Sequence, residues 1–415
     1  MRPKVLISDT DRRPYTARVA ISLAAAGCDV SALITPNHPL LKTRAVRTTF
    51  LYSALSPFDS LLAAIEATRP DIIVPCCDRG VQYLHELHSR LRVHANSRSV
   101  TADLIERSLG PVESYPVVSA RYGLLKVAQG EGLRVPQTKL IVTVDDLKAW
   151  QTEQPLPWVL KSDGTWGGRG VRIADTLEQA EQSFLEISRV SGFGRALKRL
   201  CVNRDPFWLQ PWWRGFRPSV IVQSHIPGRP ANCGVVCWQG RVLAGIGVEV
   251  VSSEGLTGPA GVVRVVDNPE MMLCAERIAR RLGLSGFFGL DFMIEYGSGA
   301  TYLIEMNPRC TPVSHLQLGK GRDMIGAFAA QLSGQSYVDT PPVTDNNVIA
   351  YFPQAWSEDR QLLNSHFHDI PQGEPDLVKE LLFSWPQRTF LYRAISYLHN
   401  MAGAAASVVD SKSFR

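Results

Sequence analysis

Along the first hundred residues, short apolar runs alternate with stretches of helical periodicity. Val5-Leu6-Ile7 is a strand-length run, and Tyr15 to Ala26 reads as an alanine-rich helix that Gly27 stops. Val30 to Ile34 predicts a second strand, Pro57 to Ala67 a helix, and Asp71 to Pro75 a third strand. Strand–helix–strand order with short links argues for a small parallel α/β unit. Ligands gather in the loops after such strands, so Asp9 to Arg13 and Cys77-Asp78-Arg79 face a candidate cleft. Polar loop residues without a ligand are the plain alternative.

The pattern changes at Ser119. Arg121 to Glu131 is helical and ends at Gly132, and Lys139 to Val142 and Trp158 to Lys161 read as strands. Thr176 to Val190 predicts a helix, with glutamates early and an arginine late to suit the helix dipole. A strand follows at Ser219 to Gln223. Val235 to Trp238 and Arg241 to Ile246 form a hairpin about Gln239-Gly240, a pair suited to a two-residue turn. Pro269 to Leu282 is helical, and Gly289 to Glu295 pairs with Thr301 to Glu305. The chain shows no internal repeat and no low-complexity tract.

Composition narrows this picture only slightly. The 415 residues suggest two to three units, and 45% hydrophobic with 20% charged residues excludes general disorder. A net charge of +5 without a dense basic run gives no case for nucleic acid; it suits an anionic small substrate. The eight cysteines form no C-x-x-C pair and no zinc spacing. No run reaches the about 18 apolar residues that cross a bilayer, and Met1 to Arg13 does not read as a signal peptide. A reduced, cytoplasmic protein is the expectation.

Three segments carry chemistry. Residues 164–170 hold Gly164, Gly167, Gly168 and Gly170 beside Thr165, after the apolar strand that ends in Lys161. Successive backbone N–H groups there can face an anion. The spacing is neither a P-loop nor G-x-G-x-x-G, so a lid between two strands fits better, with a glycine turn as the alternative. Second, Asp291 and Glu305 come together if their strands pair, and Glu305 and Asn307 share a face. Two carboxylates and an amide oxygen are hard ligands for magnesium, and Arg309 stands where it can neutralise a transferring phosphoryl group. Third, Ile221 to Gly228 is a strand that leaves through Pro-Gly, with backbone groups to read an adenine edge.

Taken together, Lys161 before a glycine lid, Val222 to Gly228, and Asp291 with Glu305-Met306-Asn307-Pro308-Arg309 resemble the ATP-grasp superfamily, over about residues 1–330. The resemblance implies an α/β (α+β) fold. A parallel-sheet domain at 1–110 would precede a first lobe with the lid at 111–218. A second lobe with the metal site at 219–335 and an extension at 336–415 would follow. It implies ATP and Mg2+ as cofactors, two ions being the expected number, with Mn2+ as a substitute. Lys161 and the lid would contact phosphates, and Gln223, Ser224, His225 and Ile226 the adenine. Asp291, Glu305 and Asn307 would hold the metal, and Arg309 would stand beside the acyl phosphate. Arg121 takes the place of a second phosphate-binding lysine, with Lys126 one turn on as the fallback, and the usual ribose-binding acid is missing.

The implied activity is a carboxylate–amine ligase: an acid is phosphorylated by ATP and an amine displaces phosphate to give an amide. The partners would be a small carboxylic acid and an amine or amino acid, with a homodimer as the family expectation. A carboxylase, carbamoyl-phosphate-type enzyme or small-molecule kinase, and a non-catalytic nucleotide-binding module, are the alternatives. Asp78, Arg79, Arg264 and His315 are the candidate substrate contacts, with the loop Ser252 to Val263 around them. Trp208, Trp212 and Trp213 form an aromatic cluster read as packing. The apolar and arginine-rich tail after Glu380 is read as docking on the body, with contact to a membrane surface as the sharper alternative.

Overall fold

Continuous apolar runs form the first sheet because it is covered on both faces. The computed structural model describes residues 2–94, 99–163, 170–188, 219–253, 258–355 and 366–384. β1 (Lys4–Asp9), β2 (Asp29–Ile34), β3 (Thr48–Leu51) and β4 (Ile72–Pro75) make a parallel sheet in the order β3-β2-β1-β4. α1 (Thr16–Ala25) packs on one face. α2 (Pro57–Thr68), α3 (Asp78–His94) and α4 (Val100–Leu109) pack with the other. Cys77-Asp78-Arg79 is therefore not an open loop: Asp78 and Arg79 form the first turn of α3.

The β1–α1 loop is shaped by Asp9, which is fully buried. Its carboxylate accepts the amides of Asp11 at 2.8 Å and Arg13 at 2.9 Å, the Thr16 hydroxyl at 2.6 Å, and faces His38 Nε2 at 3.0 Å.

α5 (Tyr115–Val118) and α6 (Arg121–Gly130) lead to an antiparallel sheet in the order β5-β8-β6-β7. Its strands are β5 (Thr138–Ile141), β6 (Trp158–Ser162), β7 (Val171–Ala174) and β8 (Val220–Ser224). α7 (Val144–Glu153), whose N-terminus is a Thr143–Asp146 capping box, and α8 (Leu177–Ile187) cover it. Their common core is built on Trp158, Leu160, Val222, Trp150 and Phe184.

The largest sheet has seven strands, in the order β13-β12-β9-β10-β11-β14-β15. These are β9 (Gly228–Trp238), β10 (Arg241–Ser253), β11 (Ala260–Val265), β12 (Gly286–Glu295), β13 (Thr301–Asn307), β14 (Val348–Ala350) and β15 (Phe367–His368). α9 (Pro269–Leu282), capped by Asn268 and ended by Gly283 at φ 63°, packs on one face with α6. The other face joins α1 and α10 (Met324–Ser333) in a single core with the N-terminal sheet.

Three expected boundaries move for one reason: sheet pairing and helix packing, not sequence adjacency, assign each segment. β8 bonds to β5 and β6, so it completes the first antiparallel sheet although it lies beyond residue 218. α5 and α6 lie before the first-lobe strands yet pack against the seven-stranded sheet, through Val118, Leu124, Leu125 and Ala128. Residues past 335 add β14 and β15 to that sheet, and α11 (Pro375–Ser384) joins the central core through Leu377 and Leu381. Among the described residues no helix is long and apolar enough to cross a membrane. The tail beyond Ser384 and the Trp208/Trp212/Trp213 cluster lie outside them.

Burial works against the charge of Asp9, yet the hydrogen bond and charge of His38, with Thr16 and the Asp11 amide, lower its pKa to about 2. A lowered carboxyl stabilises the fold above its ordinary pKa of 3.8 and loses that contribution as pH falls towards 2. Asp9→Asn is therefore expected to cost about 2 kcal/mol at neutral pH. The difference from wild type should close between pH 4 and pH 2, read by urea denaturation across that range.

Candidate active site

Antiparallel pairing of β12 with β13 sets Asp291 opposite Glu305 and Gly289 opposite Asn307. Gly289 has no room for a side chain, since a Cβ there would lie 2.3 Å from the Thr311 methyl group. The chain leaving β13 therefore folds back over β12, and this brings Arg309 to the acids. Asn232 on β9 donates to Asp291 Oδ1 at 2.5 Å, and Asn307 donates to Oδ2 at 2.9 Å. Arg309 Nη2 donates to Asn307 Oδ1 at 3.1 Å, so the sequence-selected Asp291, Asn307 and Arg309 form one chain of contacts.

Glu305 bonds to α6, which in turn reaches the first lobe. Arg121 Nε bonds its Oε2 at 2.6 Å, while Arg121 Nη1 holds the Ser162 carbonyl at 2.9 Å and Asp163 at 3.3 Å. Arg121 is thus at the site, spent in this geometry on a carboxylate. Lys126 is not there: it is exposed, with its ammonium over the Tyr122 ring at 5.6 Å.

Lys161, at the end of β6, is 6% exposed. Burial lowers its pKa to about 8, against the pull of Glu305 and with the repulsion of Arg121. Burial also opposes charge on both acids. The Glu305 charge adds to it and raises Asp291, whereas Arg121 and Lys161 overcome it and keep Glu305 ionised.

This donor set fits magnesium. Two carboxylates face each other with the Asn307 amide beside them, its nitrogen on Asp291 and its oxygen on Arg309, and the mutual repulsion that raises Asp291 is what a divalent cation relieves. Among the described residues no group of three or more His, Cys, Asp or Glu could hold a metal.

The lid residues Gly164, Thr165, Gly167 and Gly168 lie outside the described residues. Gly170 accepts from the Ser162 amide at 3.0 Å, and β6 pairs directly with β7 on either side of that loop. At the strand exit, Gln223 is buried and donates through Nε2 to Thr138 at 3.1 Å. The Ser224 amide donates to Gln137 at 3.0 Å and the His225 amide to Pro157 at 3.2 Å. Those two amides serve the sheet, and Ile226 begins the link to β9.

The four expected substrate contacts divide. Asp78 and Arg79 stand at the site: Asp78 Oδ2 lies 2.9 Å from Arg309 Nε. Arg264 does not. The row Asp291–Asn232–Val248–Val265 runs across the strands on one face, which leaves Arg264, opposite Glu249, exposed on the other. The nearby Thr257 lies outside the described residues. His315 is buried against Asp369 at 2.9 Å, where Arg18 also pairs at 3.1 Å, and ties the C-terminal segment down.

Two positioning residues escaped the sequence reading. Tyr15 accepts from Arg309 Nη1 at 3.2 Å and donates to the carbonyls of Cys76 and Cys310 at 2.8 and 2.9 Å. Asn232 holds Asp291 Oδ1 from the neighbouring strand β9. Neither carries a local signal, since each meets its partner across a domain or sheet.

A parallel α/β unit followed by two further sheet lobes, with Lys161 on one lobe facing the acids on the other, defines the class. Residues 119–313 match the family model of the ATP-grasp domain. No curated protein sequence matches the chain. Among solved structures it is similar to the biotin carboxylase domain of Hydrogenobacter thermophilus 2-oxoglutarate carboxylase, in complex with MgADP, ADP and bicarbonate. The identity is 15% and the TM-score 0.57, over 82% of this chain and 72% of that one. It is similar also to N5-carboxyaminoimidazole synthase from Aspergillus clavatus, in complex with ADP and 5-aminoimidazole ribonucleotide (12%, TM-score 0.58, 81% and 78%). L-amino acid ligase from Bacillus licheniformis is a third (14%, TM-score 0.56, 82% and 76%). These likenesses show the fold. Residues 119–313 are an ATP-grasp domain by their match to the family model.

With Lys161 near pH 8 in the free protein, its protonated form prevails at neutral pH. ADP affinity is expected to fall as pH rises above 8, by up to about tenfold per unit. Lys161→Arg should flatten that profile, read by calorimetric titration from pH 7 to pH 9.

Proposed function

We propose that the chain is an ATP- and magnesium-dependent ligase that joins a carboxylic acid to an amine. The observation that carries this reading is the convergence of Lys161 from the first lobe and Arg121 from α6 with Asp291, Glu305, Asn307 and Arg309. Phosphoryl transfer asks for positioning and charge neutralisation more than for a protein nucleophile, and this arrangement supplies both.

In this reading Lys161 and Arg121 orient the phosphates. Asp291, Glu305 and Asn307 would hold Mg2+, which supplies charge neutralisation when bound. The substrate carboxylate takes the γ-phosphoryl group, the bond to the β-phosphate breaks, and ADP leaves. Arg309, fixed by Asn307, Tyr15 and Asp78, stabilises the charge on the group in transit. The amine then attacks the acyl carbon, loses its proton, and expels inorganic phosphate.

The L-amino acid ligase among the structural neighbours agrees with this chemistry. A carboxylase reading, with bicarbonate as the acid, is favoured by the bicarbonate-bound carboxylase neighbour.

The deciding experiment is ADP and phosphate release with MgATP, screened against amino acids, other carboxylic acids and bicarbonate, singly and in pairs. ADP release that requires two substrates, with a product mass equal to their sum less water, is the expected result. Release with bicarbonate and an amine, and a product heavier than the amine by carbon dioxide, selects the carboxylase. ATP binding without turnover on any pair counts against both.

Glu305→Ala is expected to cut turnover by about a hundredfold or more through loss of a metal ligand. Its circular dichroism should remain that of wild type. A fully active variant would refute the metal assignment.

A further inference from the structure

Arg121 is the first residue of α6, an unfavourable place for a cation. The N-terminus of a helix carries positive partial charge, and α6 has neither an acid in its first turn nor a side-chain cap. The helix gives Arg121 no electrostatic reason to stand there. Its acceptors lie elsewhere: Glu305 on β13, and the Ser162 carbonyl and Asp163 where β6 ends.

The bond to Glu305 is the tightest of these. Nε lies 2.6 Å from Oε2, as close as charge-assisted bonds come, whereas Nη1 lies 3.3 Å from Asp163. Both partners are shielded, with 18% and 24% of their side-chain surfaces exposed. Of the two cations that keep Glu305 ionised, Arg121 acts more strongly than Lys161. Arg121 also bonds the carboxylate, while Lys161 acts on it through charge.

Glu305 belongs to the donor set that fits magnesium, and this is where the two roles collide. A magnesium ion stands about 2.1 Å from a carboxylate oxygen. On Oε2 it would compete with the Nε proton for the same oxygen. On the other oxygen it would still stand beside a guanidinium of its own sign. In the free protein the acid pair already has its positive charge, so a metal arriving alone gains little. A nucleotide changes the balance. Its phosphates bring the negative charge that a divalent cation needs, and they offer Arg121 oxygens that its fork fits.

We infer that Arg121 holds the place of the metal: it occupies Glu305 while no nucleotide is bound and gives the carboxylate up when phosphates draw it away. Metal binding is thereby tied to nucleotide binding. The exchange breaks and forms only hydrogen bonds and ion contacts. It rests on the ligase reading, which supplies both the metal and the phosphates.

The test is Mn2+ binding to the full chain, which needs no turnover. Free Mn2+ is read by its electron paramagnetic resonance signal, with and without ADP, and ADP without protein is the blank. Wild type is expected to bind Mn2+ weakly alone and more tightly with ADP. Arg121→Gln should bind Mn2+ without ADP at least about tenfold tighter than wild type, since a charge this close to a carboxylate is worth about one pKa unit or more. Its further gain from ADP should shrink by a similar factor. Arg121→Lys keeps the charge but gives up the Nε bond and should fall between. It carries the test if Arg121→Gln does not fold, and wild-type affinity would then overturn the inference. Arg134→Gln, an exposed arginine paired with Glu270, is the control that leaves the affinity unchanged.

Two further variants separate occupation of Glu305 from loss of charge alone. Adding Glu305→Gln to Arg121→Gln should remove the gain. Lys161→Gln takes an equal charge from the same acids without taking a bond from Glu305, so its gain should be smaller. A gain that follows Arg121 and vanishes with Glu305 supports the inference. Equal affinity in wild type and Arg121→Gln overturns it, as does an equal gain in Lys161→Gln or a gain that survives Glu305→Gln. If the Mn2+ affinities behave as expected while no acid–amine pair turns over, the ligase reading alone fails. If a pair turns over with magnesium while Arg121→Gln leaves the affinity of the free protein unchanged, the inference alone fails.

Discussion

Two part-buried carboxylates facing each other on neighbouring strands are the constraint around which the rest of this molecule is arranged. The register of β12 and β13 leaves Asp291 and Glu305 no way to avoid one another. Like charges at that separation are tolerable only where cations or a metal share them. Arg121, Lys161 and Arg309 supply the cations, and they come from three different parts of the chain. Correct placement of the acids thus depends on correct docking of the helix before the first lobe, of that lobe's central strand, and of the turn after β13.

Arg309 shows how far that dependence extends. It donates to Asn307, to Tyr15 and to the Cys310 carbonyl, and it pairs with Asp78. Tyr15 opens the helix after β1, and Asp78 opens the helix after β4. The N-terminal sheet is therefore part of this site's support, because the residues that open its two helices hold Arg309 in place. A guanidinium locked on several sides before substrate arrives needs little reorganisation when charge develops.

How much of this was legible in the sequence follows the range of each interaction. α9 lies over Pro269–Leu282 as its amphipathic pattern predicts, and β1, β2, β4 and β6 follow their apolar runs within a residue or two. The Glu305–Asn307 spacing and its partner Asp291 were visible because a hairpin is local. What escaped was non-local. Nothing near His315 in sequence indicates that its partner is Asp369, 54 residues on. Arg264 looked available because the face it occupies is settled only by β10 and β9 together. Arg121 was found by position, but its bond to Glu305 joins residues 184 apart. The length of β9 and β10 was also underestimated: glycines at 234, 245 and 247 interrupt the apolar pattern, yet close backbone and side-chain approaches require them there.

The distribution of cores gives the site its working parts. The N-terminal sheet, one face of the seven-stranded sheet, α10 and the segment ending in α11 share a single hydrophobic cluster. Arg18 and His315 fasten Asp369 on top of it. The first lobe has a core of its own, and among the described residues only Ile221 of its four strands packs into a neighbouring cluster. A unit with its own core, joined to the body by two chain links and the contacts of Arg121, can shift as a block without unfolding. Lys161 and the strands flanking the glycine loop ride on that block, whereas the acids and Arg309 belong to the body. Arg121, paired with Glu305 in the body, holds the Ser162 carbonyl and Asp163 of the first lobe and so bridges the two halves.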